Sequence, residues 1–163
     1  MIVYHGSTEI IKNPDVMHSK KYLDFGRGFY ITTFENQAKK WAVRKGMRQG
    51  KTAIVNTYEL SEEWNQFRVL SFGKENEKWL DFVCGCRKGK PLNNEYDIVI
   101  GNVADDDVFK TVDMYFRGLW DKKKVLEELQ YYKMNNQICI VNQEALNRLI
   151  TFKSAYEVEN NGK

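Results

Sequence analysis

Histidine, proline and cysteine are scarce in this chain, and each scarcity excludes something. The two histidines, His5 and His18, and the cysteines Cys84, Cys86 and Cys139 do not make four zinc ligands at a workable spacing, so no structural metal is expected. Three cysteines are an odd number, and no basic segment with an apolar run and a small-residue cleavage site opens the chain. Reduced thiols in a cytoplasmic protein are therefore predicted, not a disulfide framework. Both prolines, Pro14 and Pro91, fall where loops are expected, and no repeat or Pro/Ser-rich linker divides the chain. No segment approaches the roughly 18 apolar residues of a membrane span. Excess charge of one sign is also lacking: 25 Lys and Arg face 22 Asp and Glu, for a net charge of +3. Nucleic-acid-binding domains are usually more basic.

What is present suits a core. The chain is 42% hydrophobic and 13% aromatic over 163 residues, which predicts one domain over residues 1–158 and a polar tail over residues 159–163. "IVYH" reads as a first strand broken by Gly6, and "GFYIT" as a second. A helix follows, with Thr32 and Glu35 spaced as a capping box and Phe34, Ala38, Trp41 and Ala42 on one face, ending near Gly46 or Gly50. Strands "TAIVNTYEL", "FRVLSF" and "EYDIVIG" bracket a helix over "ENEKWLDFVCGCR". "DDDVFKTVDMYFRGLW" and "DKKKVLEELQYYKMN" read as two helices, the second amphipathic through Val125, Leu126, Leu129 and Tyr132. Strand "NQICIV", a short helix "QEALNRL" and strand "ITFKSAYEV" close the chain. The irregular mixture predicts an α+β class with a largely antiparallel or split sheet.

Two glycine-containing stretches carry the chemistry. In "YHGS", Gly6 permits close approach to the backbone beside His5, and Ser7 offers a hydroxyl. In "FGRGFY", Gly26 and Gly28 flank Arg27 ahead of Phe29 and Tyr30. This is not the dinucleotide fingerprint, since the third glycine is missing and a strand follows instead of a helix.

Together, "YHGS" and "FGRGFYITTFENQAKKWA" resemble the ADP-ribosyltransferase fold of the diphtheria-toxin and poly(ADP-ribose) polymerase type. The whole chain further resembles small bacterial members of that superfamily with uncharacterised function, through "KWLDFVCGCR", "YDIVIGNVADD" and "NQICIVNQEALNRL". The resemblance implies a split β-sheet with flanking helices and NAD as the substrate. It gives His5 the adenosine-side ribose, the Gly6 backbone the nicotinamide amide, and Tyr30 and Trp41 the two faces of the nicotinamide ring. Trp41 reads equally as a core anchor. Ser7, Arg27 and Gly28 join the NAD-binding set, with Arg27 and Arg44 as partners for the pyrophosphate.

The superfamily glutamate that bonds the nicotinamide-side ribose falls on Gln137. An amide orients a hydroxyl but has no useful basicity. A base from elsewhere is then needed, and Asp105 and Asp106 are the candidates; the same "ADDD" run also reads as the acidic start of a helix. The implied function is a mono-ADP-ribosyltransferase acting on a macromolecular acceptor, protein or nucleic acid. It implies a toxin of a toxin–antitoxin or defence system with a small antitoxin partner. The substitution at 137 equally suits a catalytically weak module that binds NAD or ADP-ribose. NAD-dependent removal of phosphate from RNA would call for more basic residues than the chain has.

Overall fold

The alternating apolar segments build two sheets. The computed structural model describes residues 1–20, 22–73, 77–104, 106–130 and 135–159, without the side chains of Asp106 and Asp107. The first sheet orders three antiparallel strands as β1 (Ile2–Ser7), β3 (Ala53–Leu60) and β7 (Ile150–Val158), with β3 in the centre. The second orders β2 (Phe29–Ile31), β6 (Gln137–Ile140), β5 (Ile98–Gly101) and β4 (Val69–Ser71), antiparallel except for the β4–β5 pair. Five helices accompany them among the described residues: α1 (Glu35–Gln49), α2 (Glu77–Arg87), α3 (Asp106–Phe116), α4 (Lys122–Leu129) and α5 (Gln143–Leu149). The class is α+β, as the sequence predicts.

The sheets meet at one rung. Tyr4 N–H donates to the Thr32 carbonyl at 2.8 Å and Thr32 N–H to the Tyr4 carbonyl at 3.0 Å, a single antiparallel bridge between β1 and β2. β1 does not break at Gly6, as the sequence suggested, but runs through it to Ser7, because β3 pairs along its other edge as far as Ser7 with Ile54.

Strand alternation sorts the core. Phe29 and Ile31 of β2 join Ile138 and Ile140 of β6 in one cluster with Val3, Tyr58 and Leu146. Cys139 turns to the opposite face, where Tyr30 packs with Phe25, Trp79, Phe82 and Val112. Val125 and Leu129 of α4 are buried in that second cluster, and Leu126 packs against it. Tyr132, the fourth member of the predicted face, lies outside the described residues.

α1 departs from its predicted face. Phe34 is exposed and Trp41 only partly buried, whereas Ala38, Ala42 and Gly46 form the buried seam. The cause is close packing on β1. A Cβ placed on Gly6 would lie 2.2 Å from the Ala38 carbonyl oxygen and 2.7 Å from the Ala42 amide nitrogen, so only small residues fit on either side. The capping box does not form either. Phe34 is the N-cap and makes no side-chain cap, because Thr32 is still held in the bridge to Tyr4. Thr32 Oγ1 accepts from Phe34 N–H at 3.1 Å, and Glu35 instead accepts a hydrogen bond from the Tyr156 hydroxyl.

The long connection over residues 8–28 is pinned from below. Buried Asn56 donates to the Glu9 carbonyl and accepts from Ile11 N–H, and the Tyr58 hydroxyl donates to the Ile11 carbonyl. Further along, Gln143 accepts from Val16 N–H and donates to the Pro14 carbonyl.

The contact at Gly6 yields a stability prediction. Gly6→Ala forces a methyl group into backbone atoms that cannot rotate away, and the expected loss is about 2 kcal/mol or more. At this chain length that lowers the thermal midpoint by roughly 4–8 °C, which a circular dichroism melt would read. A midpoint within about 1 °C of wild type would show that α1 does not close on Gly6.

Candidate functional site

The site begins where β1 and β2 part. Residues two apart on a strand present their N–H and C=O to the same edge. Gly6 therefore offers its backbone groups to the edge on which Tyr4 meets Thr32. Continuing that ladder would set Gly6 opposite Tyr30. Instead the Tyr30 carbonyl accepts from His5 Nδ1 at 2.6 Å, so the imidazole takes the rung that the Gly6 backbone would have occupied. The strands separate at that point.

His5 also stacks on Phe29, with ring centroids 4.5 Å apart and planes at 24°. Burial lowers its pKa from 6.5 to about 4, against the pull of the Tyr30 carbonyl, with nearby Lys45 lowering it further. The ring is thus neutral at pH 7. Because a carbonyl only accepts, the proton sits on Nδ1 and Nε2 keeps its lone pair.

Tyr30 anchors the glycine loop. Its hydroxyl donates to the Gly26 carbonyl at 2.5 Å and accepts from Phe25 N–H at 3.1 Å. Burial, with Cys139 and Asp24 nearby, raises its pKa well above the ordinary phenol value, so it stays protonated. The glycines beside it have separate reasons. Gly26 sits at φ 76°, and a Cβ on Gly28 would lie 2.5 Å from Cys139 Sγ and 2.8 Å from the Ile140 carbonyl oxygen. Gly28 N–H donates to Ser19 Oγ at 2.9 Å.

Tyr30, Cys139 and Gln137 lie on one face of the second sheet by register and alternation. The α1 side of Gly6 continues that face through the Tyr4–Thr32 bridge. Trp41 sits on it, with its Cβ 3.0 Å from where a Gly6 Cβ would be. The reading of Gly6 as room for a ligand is corrected on this side: α1 fills the space, and Gly6 is buried. The His5 ring lies across the sheet from Tyr30, with Phe29. Ser7 is buried on β1, while Arg27 and Arg44 are exposed.

Gln137 is buried at the start of β6, and its amide is fixed. Nε2 donates to Asp24 Oδ2 at 3.0 Å and to the Asn102 carbonyl at 3.4 Å. Asp24 is the residue that sequence reasoning missed. Its Oδ1 accepts from Arg87 Nε and Nη2 at 2.9 and 2.5 Å, and its Oδ2 also accepts from Ala104 N–H at 2.9 Å. The only sequence signal was an acidic residue directly before "FGRG", in a segment that reads as a loop. Of the carboxylates expected as bases, Asp105 lies outside the described residues, and Asp106 opens α3 with its side chain outside them.

Next to Gln137, Asn136 clamps the β2–α1 corner. Its Oδ1 accepts from Thr32 Oγ1 and Thr33 N–H, its Nδ2 donates to Thr33 Oγ1, and its carbonyl accepts from Gln37 Nε2 at 2.7 Å.

Over residues 1–152 the sequence matches the family described as Protein of unknown function (DUF3990). The chain belongs to that family. No curated protein matches it.

In this DUF3990 chain the thiols do not offer a nucleophile: burial pushes Cys84 to about 11 and Cys86 to about 12, and raises Cys139 further. All three are free. Among the described residues no group of three or more His, Cys, Asp or Glu side chains is placed to hold a metal ion, and no helix is long and apolar enough to cross a membrane. A cavity of about 330 Å³ opens on the Asp24–Arg87 pair, walled by Tyr22, Phe109, Val112 and Phe116, and its lining includes none of His5, Gly6, Tyr30, Trp41 or Gln137.

The His5 environment sets a pH dependence in this family member. With a folded pKa of about 4 against 6.5 unfolded, the unfolded chain binds the extra proton between those values. Stability therefore rises with pH across that window, levels off above it, and loses on the order of 3 kcal/mol on descending through it. Urea unfolding at pH 4.5, 5.5, 6.5 and 7.5 should show the slope in wild type and a shallower one in His5→Asn, whose amide can still donate to the Tyr30 carbonyl. Equal slopes would place the His5 ring in solvent.

Proposed function

We propose that this protein is an NAD-dependent mono-ADP-ribosyltransferase that cleaves the nicotinamide glycosidic bond and transfers ADP-ribose to a macromolecular acceptor. The observation that carries the reading is the parted strand pair at His5 and Gly6, with Tyr30 and Gln137 on the face that continues to Trp41. A backbone N–H and C=O side by side, released from the β1–β2 ladder, match a carboxamide, which has one donor group and one acceptor. Aromatic residues near that edge suit a flat heteroaromatic ring.

The residues divide the work in a defined way. Neutral His5, with Nδ1–H committed to the Tyr30 carbonyl, accepts at Nε2 from a ribose hydroxyl. The Gly6 edge holds the nicotinamide amide, Tyr30 and Trp41 confine the ring, and the Gln137 oxygen accepts from the nicotinamide-side ribose. The bond from the ribose anomeric carbon to the nicotinamide nitrogen breaks as the acceptor's oxygen or nitrogen attacks that carbon. Nicotinamide leaves as a neutral molecule and the acceptor's proton passes to a carboxylate, for which Asp105 and Asp106 are proposed. Holding the two ribose contacts while positive charge builds on the sugar lowers the barrier by orientation and electrostatics. As in other small proteins this chain resembles, the proposed role is that of a cytoplasmic toxin in a toxin–antitoxin or defence system, held in check by a small antitoxin protein.

One observation favours a second reading. The Gln137 amide is buried and fixed by Asp24, which suits a module that binds NAD or ADP-ribose with little turnover.

Purified protein incubated with labelled NAD and a bacterial lysate, then separated into protein and nucleic-acid fractions, distinguishes these. Label is expected in one fraction and is expected to fall by at least about tenfold in Gln137→Ala. Nicotinamide release without labelled acceptor would mean hydrolysis, and binding without turnover would establish the module. A chain that does not bind NAD at all would end both readings.

A further inference from the structure

Gln137 stands where the resemblance would place a glutamate, and the structure supplies a reason for the amide. Both groups facing its Nε2, the Asp24 carboxylate and the Asn102 carbonyl, are acceptors. The amide nitrogen must face them, and Oε1 must face away. A glutamate at 137 would put a second carboxylate within hydrogen-bond distance of Asp24, where two negative charges are not tolerated together. Asp24 cannot turn aside, since Arg87 and Ala104 N–H hold its two oxygens. Arg87 is itself braced, with its guanidinium 4.5 Å above the Phe109 ring. Among the described residues, Asp24 acts electrostatically on Cys84 and Cys86 from α2 and on Tyr30 from β2.

We propose that Asp24 is a positioning residue for Gln137: it orients the amide so that an acceptor oxygen meets the ribose, and it holds, one hydrogen bond behind that oxygen, the negative charge that a glutamate would carry in front. This rests on the NAD reading given above. The amide and the carboxylate act as a pair, with charge and contact divided between two side chains.

The pair makes an exchange experiment possible. In Asp24→Asn the negative charge behind the amide is lost and an NH2 replaces one of two oxygens that both face donors, so the hold on Gln137 is weakened. In Gln137→Glu the two carboxylates oppose each other. In the double variant D24N/Q137E the exchanged amide can donate to the exchanged carboxylate, so the two side chains no longer repel and an acceptor faces the ribose again, while Ala104 N–H and the Asn102 carbonyl lose their former partners.

Nicotinamide release from NAD is measured for wild type, both single variants and the double variant, with kcat and KM separated. Each is also melted at pH 5 and pH 7.5 without NAD. The singles are expected to lose kcat on the order of 10- to 100-fold with little change in KM, and the double variant to recover part of it. A folded Asp24→Asn with wild-type kcat, or a double variant no faster than the singles, overturns the inference. If Asp24→Asn does not fold, Gln137→Glu decides. Because His5 gives every variant the same rise in stability with pH, the midpoint difference between pH 7.5 and pH 5 must be smaller than in wild type or reversed. A difference equal to that of wild type rejects the pairing. Wild-type protein that leaves NAD untouched removes the functional reading itself, whereas active wild type with active, folded Asp24→Asn removes only the role of Asp24.

Discussion

One buried carboxylate joins four parts of the chain. Asp24 precedes the glycine loop that enters β2, and its oxygens take donors from α2, from the segment after β5, and from the first residue of β6. Inside a protein such an anion persists only when its lone pairs are occupied, and here four N–H groups occupy them. Removing one partner of a buried ion pair typically costs about 3–5 kcal/mol, more than most single contacts contribute. The same carboxylate decides which atom Gln137 presents. The stability of this region and the chemistry of its candidate site thus depend on one side chain.

A second constraint is steric. α1 lies so close to β1 that the strand needs Gly6 and the helix needs Ala38 and Ala42. That contact fixes the helix against the strand end at which the sheets divide. The His5 imidazole, neutral because burial disfavours its charged form, then takes the hydrogen bond that would have zipped β1 to β2. Asn136 closes the corner from the other strand, tying β6 to Thr32, Thr33 and Gln37. The opening is held by specific bonds on both sides.

Much of this was legible along the chain, and the misreadings have identifiable causes. The strands and helices fall close to the predicted segments because apolar periodicity reports burial directly. The α1 face was misread since Phe34 and Trp41 share helical spacing with Ala38 and Ala42, and periodicity cannot say that a strand approaches too closely for large side chains. The capping box failed because a tertiary bridge holds Thr32 in extended conformation. Gly6 was read as a strand break because a glycine weakens a strand locally, whereas here pairing with β3 carries it through.

The sequence alone determined the α+β class, the order of its elements and the two glycine-containing stretches, since these follow from local periodicity and residue type. It also marked His5, Tyr30 and Gln137 as residues to follow. Only the tertiary structure decided that His5 occupies the missing rung, that its ring lies across the sheet from Tyr30, and that Asp24 stands behind Gln137. The reason is physical: each depends on atoms 25 to 113 residues apart in the chain, and no local pattern reports which distant carboxylate a buried amide will meet.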